Sequence, residues 1–434
     1  GTDSMVGTSS DVILGDAIMR GQVFNYEDAY ASAIKNASVV SSNSTQGRQS
    51  TLDGATFNGY NSRSEGLSWT LEGWINDYGI SNMAKTLRDM EDPGTQEWEE
   101  YNDEYEYYRN NATRYVHLFK DGWFTSSSSL SDPTRWGGDY TETNGWNMAF
   151  HTPQDGNGLA NLYGGKDKLG EKLDALFSTP GTFNPGSYGS TIHEMREARE
   201  VKMGQFGMSN QPSHHIPYMY LFTDRPWKTQ STVREVMERL YIGSEIGQGY
   251  CGDEDNGEMS AWYVLSSLGL YPLSMGSGEF AIGSPLFEKA TIHVEGANDI
   301  VINAPGNDHD SVYVQSLKVN GEDYNKTYIK QTDLVNDEGK TVTLDFVMGD
   351  EPNTSFGTAE DSAPTSITQG NEKPNPKEDF ANNVTFVDSA DKLAGEGIKA
   401  YAQNISNTSS LFDNSTGSSW GSSSAASITA DTAS

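Results

Sequence analysis

Gly252-Asp253-Glu254-Asp255-Asn256-Gly257-Glu258-Met259-Ser260-Ala261-Trp262 sets a glycine-flanked knot of carboxylates directly before an apolar run that continues through residues 262–270. Acidic side chains at this spacing repel one another and lie near a helix start, so they titrate unusually or hold a cation. The competing reading is a solvated acidic loop that favours a helix N-terminus through the dipole. Met259, Trp262, Tyr263, Val264, Leu265, Leu268 and Leu270 make the following helix apolar almost all round, which predicts a core helix. The carboxylates then stand at the mouth of a core, and the core around them is predicted to be helical.

Working outward, Leu67, Leu71, Trp74, Ile75 and Tyr78 recur at helical spacing, as do Trp98, Tyr101, Tyr105 and Tyr108. Over residues 231–241, Thr232-Val233-Arg234-Glu235 reads as a capping box, with Val233, Val236, Met237, Leu240 and Tyr241 as one apolar face. Residues 1–276 are therefore predicted to be a helical domain whose Gly-, Ser- and Asn-rich connections are suited to carry a site. From 277 to 349 the period changes to two. Segments 290–294, 300–304, 312–317 and 342–347 read as strands, with Asn320-Gly321 as a hairpin turn. Residues 350–380 carry Pro352, Pro364, Pro374 and Pro376 among polar residues and read as a linker. Residues 381–434 are too short and Ser-rich to close a core and read as a truncated module or a disordered tail.

At 434 residues the chain has room for about two to three domains. Its formal charge of −32, from 29 basic and 61 acidic residues, repels polyanions, so nucleic acid and anionic membranes are poor partners. Cys251 stands alone, which leaves no intramolecular disulfide and no thiolate zinc site. Abundant Ser, Thr, Asn and Gly with few Lys lean toward an extracellular or cell-surface location, as in secreted bacterial enzymes.

Three further segments carry candidate chemistry. Glu142-Thr143-Asn144-Gly145-Trp146 sets an acid near a Trp that would exclude water and raise its pKa, as a general acid requires. In Ile192-His193-Glu194-Met195-Arg196-Glu197, His193 and Glu197 share a helix face, but the HExxH zinc pattern is absent. In Ser209-Asn210-Gln211-Pro212-Ser213-His214-His215, the His pair is either buried and hydrogen-bonded or a partner for sugar hydroxyls. Two carboxylates flanking a scissile bond are the minimum for glycoside hydrolysis, and Glu142 with Asp255 or Asp253 supplies them. Oxygen-rich loops suit Ca²⁺ better than a soft metal, although no EF-hand spacing is present. No nucleophile elbow, phosphate loop or dinucleotide fingerprint appears.

These segments, with Met5-Val6-Gly7-Thr8-Ser9-Ser10-Asp11, Pro226-Trp227-Lys228-Thr229-Gln230 and Gly283-Ser284-Pro285-Leu286-Phe287, occur in the order found in glycoside hydrolase family 92, which roughly residues 1–352 closely resemble. The family comprises calcium-dependent, inverting exo-α-mannosidases. The resemblance implies a multidomain α plus β architecture: an N-terminal β-sandwich, an (α/α)6 barrel and a β-sandwich-type C-terminal extension. This chain is expected to begin inside the barrel, with the missing sandwich a candidate partner on a separate chain.

Carried over by motif, Glu142 matches the general acid, Asp255 the general base and Asp253 a residue assisting the water. His193-Glu194 matches the dipeptide that contacts the leaving-group mannose in α-1,2-specific members. Trp146, His214 and His215 are further substrate-binding candidates, and Glu197 and Gln211 are the calcium-ligand candidates. Gln211 stands where many members have Glu. The expected substrates are mannose-containing glycans, N-glycan caps or mannan. The competing hypothesis is a non-catalytic mannan-binding or adhesion fragment. Leu411-Phe412-Asp413-Asn414 and Ser418-Ser419-Trp420 resemble the start of a discoidin-type carbohydrate-binding module.

Overall fold

The computed structural model describes residues 6–39, 47–48, 52, 66–241, 249–377, 399–406 and 421–431. Helices dominate its first part, and the two predicted aromatic stripes fall on helices Gly66–Arg88 and Gln96–Asn111. The first of these two helices also packs against Ser10–Met19. Glycines permit that close crossing: a Cβ on Gly15 would lie 2.6 Å from the Gly79 carbonyl oxygen, and one on Gly79 would lie 2.6 Å from Val12 Cα.

Helix Tyr26–Ser38, a short ribbon, β1 (Phe119–Lys120) with β2 (Trp123–Phe124), and helices Gly145–Met148, Gly156–Tyr163, Lys166–Ser178, His193–Glu200, Trp227–Leu240 and Glu258–Ser267, with short 3-10 turns, belong to the helical part as well. Its core joins Leu67, Leu71 and Trp74 to Phe150, Phe206, Tyr218, Phe222, Val233 and Trp262. Two sequence expectations are corrected. Helix Trp227–Leu240 begins directly after Pro226, so Thr232 to Glu235 is helix interior rather than a cap, while Val233, Val236, Met237 and Leu240 form the buried face as expected. Helix Glu258–Ser267 buries one side only, through Met259, Trp262, Ser266 and Ser267, and Val264 is 55% exposed.

The change of period marks a change to sheet. β3 (Leu270–Tyr271) and β4 (Glu279–Ile282) join β9 (Tyr328–Lys330) in one three-stranded sheet. β5 (Lys289–His293), β6 (Asp299–Asn303), β7 (Tyr313–Val319), β8 (Glu322–Asp323) and β10 (Val342–Gly349) form a second, ordered β5-β6-β10-β7-β8. Only β6 and β10 run parallel in it. Asn320 and Gly321, with φ of 52° and 84°, close the β7–β8 hairpin as the dipeptide predicts. Buried Arg234 ties this sheet to the helices by donating to the Pro285 carbonyl at 3.1 Å, Asn307 Oδ1 at 3.0 Å and the Asp308 carbonyl at 2.7 Å.

The proline-bearing stretch after β10 is bound down. Ser366 Oγ, the Thr368 N–H and Thr368 Oγ1 all donate to the buried Asp155 carboxylate, and Thr365 donates to Glu279. The compact unit accordingly runs to Pro376. Residues 377–434 form a second unit, in which β11 (Lys399–Ser406) pairs antiparallel with β12 (Gly421–Asp431). The discoidin-like motifs at 411–414 and 418–420 lie outside the described residues. Among the described residues no helix is long and apolar enough to cross a membrane.

Gly79→Ala should cost about 1–3 kcal/mol by forcing the helices apart. Gly73→Ala on the same helix, where the nearest atom to a Cβ is 3.8 Å away, should be neutral or slightly stabilising. Denaturant unfolding of both variants checks the contrast.

Candidate active site

Residues 209–215 form a turn that reaches three chemically distinct segments. Asn210 caps the short turn Gln211–Ser213 through its Oδ1 and donates from Nδ2 to the Glu142 carbonyl at 3.1 Å and to Glu142 Oε2 at 3.4 Å. The adjacent Gln211 donates from Nε2 to Asp255 Oδ2 at 2.5 Å. One turn later, His214 Nδ1 lies 2.8 Å from Glu258 Oε1. Glu142 and Asp255, far apart in sequence, are thus held by consecutive amides. The approach is close enough to require glycine at 252, where a Cβ would lie 2.3 Å from the Ser209 carbonyl oxygen.

Both candidate acid–base residues have left-handed backbones, with φ of 50° at Glu142 and 55° at Asp255. Such conformations are uncommon for residues with a Cβ and mark strain held by the surroundings. The Glu142 N–H donates to Tyr188 Oη at 2.8 Å. Beyond Asp255 the turn continues left-handed through Asn256 (φ 58°) and Gly257 (φ 107°). Glu254 pins it by accepting from the Gly257 N–H at 2.6 Å and from Ser260 Oγ at 2.8 Å. The Ser260 hydroxyl holds the Glu254 carboxyl below its ordinary pKa. Within the acidic knot, Glu254 is therefore the turn's structural anchor.

His193 faces a carboxylate from each ring nitrogen: Nδ1 lies 3.1 Å from Glu197 Oε1 and Nε2 lies 3.1 Å from Glu194 Oε1. Carboxylates accept but do not donate, so this arrangement favours the imidazolium. The Glu197 hydrogen bond raises the His193 pKa, and the charges of Glu194 and Asp253 add to it. His193 remains 60% exposed and open to a ligand. Cys251, close to Glu197, is pushed up to about 12 by burial and is a poor nucleophile.

The calcium expectation has a donor set of the right chemistry. Among the described residues Glu194 Oε2 is buried without a hydrogen-bond partner, Glu197 stands on the same helix, and Gln211, whose amide nitrogen is engaged by Asp255, has its Oε1 as the ligating end. These are hard oxygens. Among the described residues no three His, Cys, Asp or Glu side chains converge on one point, so amide, backbone or water oxygens would complete a shell here.

Three expected substrate contacts are placed differently. Trp146 packs edge-to-face on Trp123 at 4.8 Å, with the Lys172 ammonium 3.0 Å from the Trp123 ring centre. Glu142 itself is exposed, so its surroundings do not exclude water as the expected Trp146 contact would require. His214 and His215 are buried, the first of the two alternatives for this pair. Both His214 ring nitrogens are occupied, Nε2 donating to the Met208 carbonyl at 3.1 Å. His215 Nε2 donates to the Phe150 carbonyl at 2.9 Å. Sequence reasoning did not single out Asn210, Tyr188 or Glu258. Asn210 and Glu258 stand inside the quoted motifs, whereas nothing around Tyr188 signals a role.

The model of the glycosyl hydrolase family 92 catalytic domain matches residues 1–350. The chain belongs to this family. Among its relatives is an uncharacterized secreted glycosidase of Arthroderma benhamiae, 23% identical over 400 residues that cover 84% of this chain and 47% of the relative. The family 92 α-mannosidase BT3965 of Bacteroides thetaiotaomicron, solved with mannoimidazole, superposes with a TM-score of 0.74 at 26% identity, over 88% of this chain and 49% of that one. The family 92 inverting mannosidase BT2199 of the same organism gives a TM-score of 0.67 at 33% identity, over 84% and 48%. The chain thus spans about half the length of these relatives. Their other half lies on the same polypeptide, so a separate chain bearing it is not supported.

Burial, reinforced by His151 at 5.4 Å, pushes His215 down to about 3. The unfolded chain takes up this proton below about pH 6.5, whereas the folded chain refuses it down to about 3. Stability from this group is therefore complete above pH 6.5 and lost as pH falls, by at most about 1.4 kcal/mol per unit. His215→Gln, which keeps a donor for Phe150, should flatten the acid limb of stability against pH. Equilibrium unfolding across pH 4–7 measures the difference.

Proposed function

We propose that this chain carries the catalytic residues of an exo-acting, inverting α-mannosidase that releases mannose from the α-1,2-linked caps of N-glycans or mannan outside the cell. The observation that carries this reading is the joint anchoring of Glu142 and Asp255 by Asn210 and Gln211. Family membership supports glycoside hydrolysis, and the neighbours described as α-mannosidases support mannose as the sugar. The curated relative described as secreted supports the location. The helical part is read as belonging to an (α/α)6 barrel and the sheets as its β-sandwich-type extension.

In this mechanism Glu142 protonates the glycosidic oxygen as the bond to the anomeric carbon breaks. Asp255 takes a proton from the water that attacks the opposite face, and Asp253 helps orient that water. Separate acid and base residues account for inversion without a covalent intermediate. His193 and Glu194 are assigned to the leaving-group mannose, whose hydroxyls would meet the exposed imidazole by displacing one of the two carboxylate oxygens that now face it. Glu194, Glu197 and the Gln211 amide oxygen would hold Ca²⁺, which supplies positive charge for binding and distorting the sugar ring.

Leaving-group chemistry tests the acid. Glu142→Gln should nearly abolish hydrolysis of α-1,2-mannobiose, whose alkoxide cannot depart unaided, while an activated aryl mannoside loses much less. Equal loss on both substrates would remove Glu142 from the role of acid. Chelation by EDTA should abolish turnover, and Ca²⁺ should restore it better than Zn²⁺. Full activity after exhaustive chelation would exclude the metal.

A further inference from the structure

Asp255 occupies the most constrained piece of backbone in the candidate site. Asp255, Asn256 and Gly257 are three consecutive left-handed residues, with φ of 55°, 58° and 107°. For the two that carry a Cβ, such conformations are uncommon and are held by their neighbours. One anchor is Glu254, which accepts from the Gly257 N–H and Ser260 Oγ. Ser260 Oγ also meets Tyr250 Oη at 2.6 Å.

The second anchor lies on the other side of the turn, where Glu258 Oε1 meets His214 Nδ1 at 2.8 Å. His214 cannot swing away. It is 4% exposed, its Nε2 donates to the Met208 carbonyl at 3.1 Å, and its own carbonyl accepts from Trp262 Nε1 at 3.0 Å. Gln211 and His214 stand three residues apart on the 209–215 turn, as Asp255 and Glu258 do on theirs. The two side-chain pairs therefore zip one turn to the other in register. Because Nε2 is committed to a carbonyl, which only accepts, the Nδ1–Glu258 contact needs a proton between its two atoms.

We propose that Glu258, through its bond to the buried His214, is the positioning residue that holds the strained turn and so fixes the carboxylate of Asp255. This deepens the mannosidase reading and rests on it for the role of Asp255. Glu258 needs no contact with the sugar in this role. What it supplies is a bond to an immobile partner, and a glutamine amide donating to His214 Nδ1 supplies that bond too.

The test compares Glu258→Gln with Glu258→Ala in the full chain, by hydrogen–deuterium exchange over residues 253–260 and by kinetics on α-1,2-mannobiose. In Glu258→Ala the amides after Asp255 should exchange faster, and kcat should fall about tenfold to a hundredfold, the scale of a misplaced reacting group, with KM little changed. Glu258→Gln should restore both readouts toward wild type. Unchanged exchange in Glu258→Ala, or equal damage in both variants, would overturn the proposal. The exchange readout is independent of turnover. If the wild-type chain cleaves no mannoside, the mannosidase reading fails while exchange still decides the role of Glu258.

Discussion

Two adjacent amides carry the organisation of the site. Asn210 and Gln211 donate in different directions, one to Glu142 and the other to Asp255, and among the described residues no helix or sheet joins those segments. Geometry forces the economy: the candidate acid stands before a four-residue helix, Gly145–Met148, and the candidate base stands before helix Glu258–Ser267. Each element fixes its own residue and neither fixes the relation between them. That relation is set by a turn whose residues Ser209, Asn210, Ser213, His214 and His215 are buried. Neutral donors suit the task, because a lysine or arginine would quench the carboxylates it was meant to place.

Charge is distributed around this turn with the same logic. A surface as acidic as this one provides few cations to balance a carboxylate cluster. His193 is the local counter-charge, bracketed by Glu194 and Glu197 with Asp253 near enough to act on it. Its site remains net negative, with one carboxylate oxygen of Glu194 buried and, among the described residues, unpaired. A buried unpaired acceptor of this kind costs free energy unless something supplies positive charge or a donor to it. The observation gives the calcium proposal a physical basis beside the resemblance that first raised it.

Much of this was legible in the chain itself. Helical and strand periods showed a change from helix to sheet, although β3 at Leu270–Tyr271 precedes the expected boundary at 277, and the Asn320-Gly321 turn fell where its backbone preference requires. Of the quoted motifs, those at 142–146, 192–197, 209–215 and 252–258 approach one another in space. Less legible was how each residue meets its neighbours. His214 and His215 share composition with a sugar-binding pair, yet they bond to Met208, Phe150 and Trp262, the last two of which are distant in sequence. Trp146 follows Glu142 closely in the chain but turns to Trp123 and Lys172, because the short helix at Gly145 rotates it away. The capping box at Thr232 failed for a different reason: Pro226 starts the helix a turn and a half earlier. Local pattern sees the residue types, and tertiary contacts choose their orientation.

Asp155 has a bearing on where this protein can be divided. The family match ends at residue 350, yet the compact unit continues to Pro376, and the difference is the strap that ends on this carboxylate. Asp155 is fully buried and accepts from Tyr115 on one side and from Ser366 and Thr368 on the other. A chain cut at 350 would keep the carboxylate in the interior with one hydroxyl left to satisfy it, and would also uncover Asn157 and Asn161, whose amides reach the carbonyls of Thr368, Gly370 and Glu372. The end of the family match and the end of the compact unit are therefore different places. A fragment that keeps the contacts of Asp155 intact must carry the strap with it.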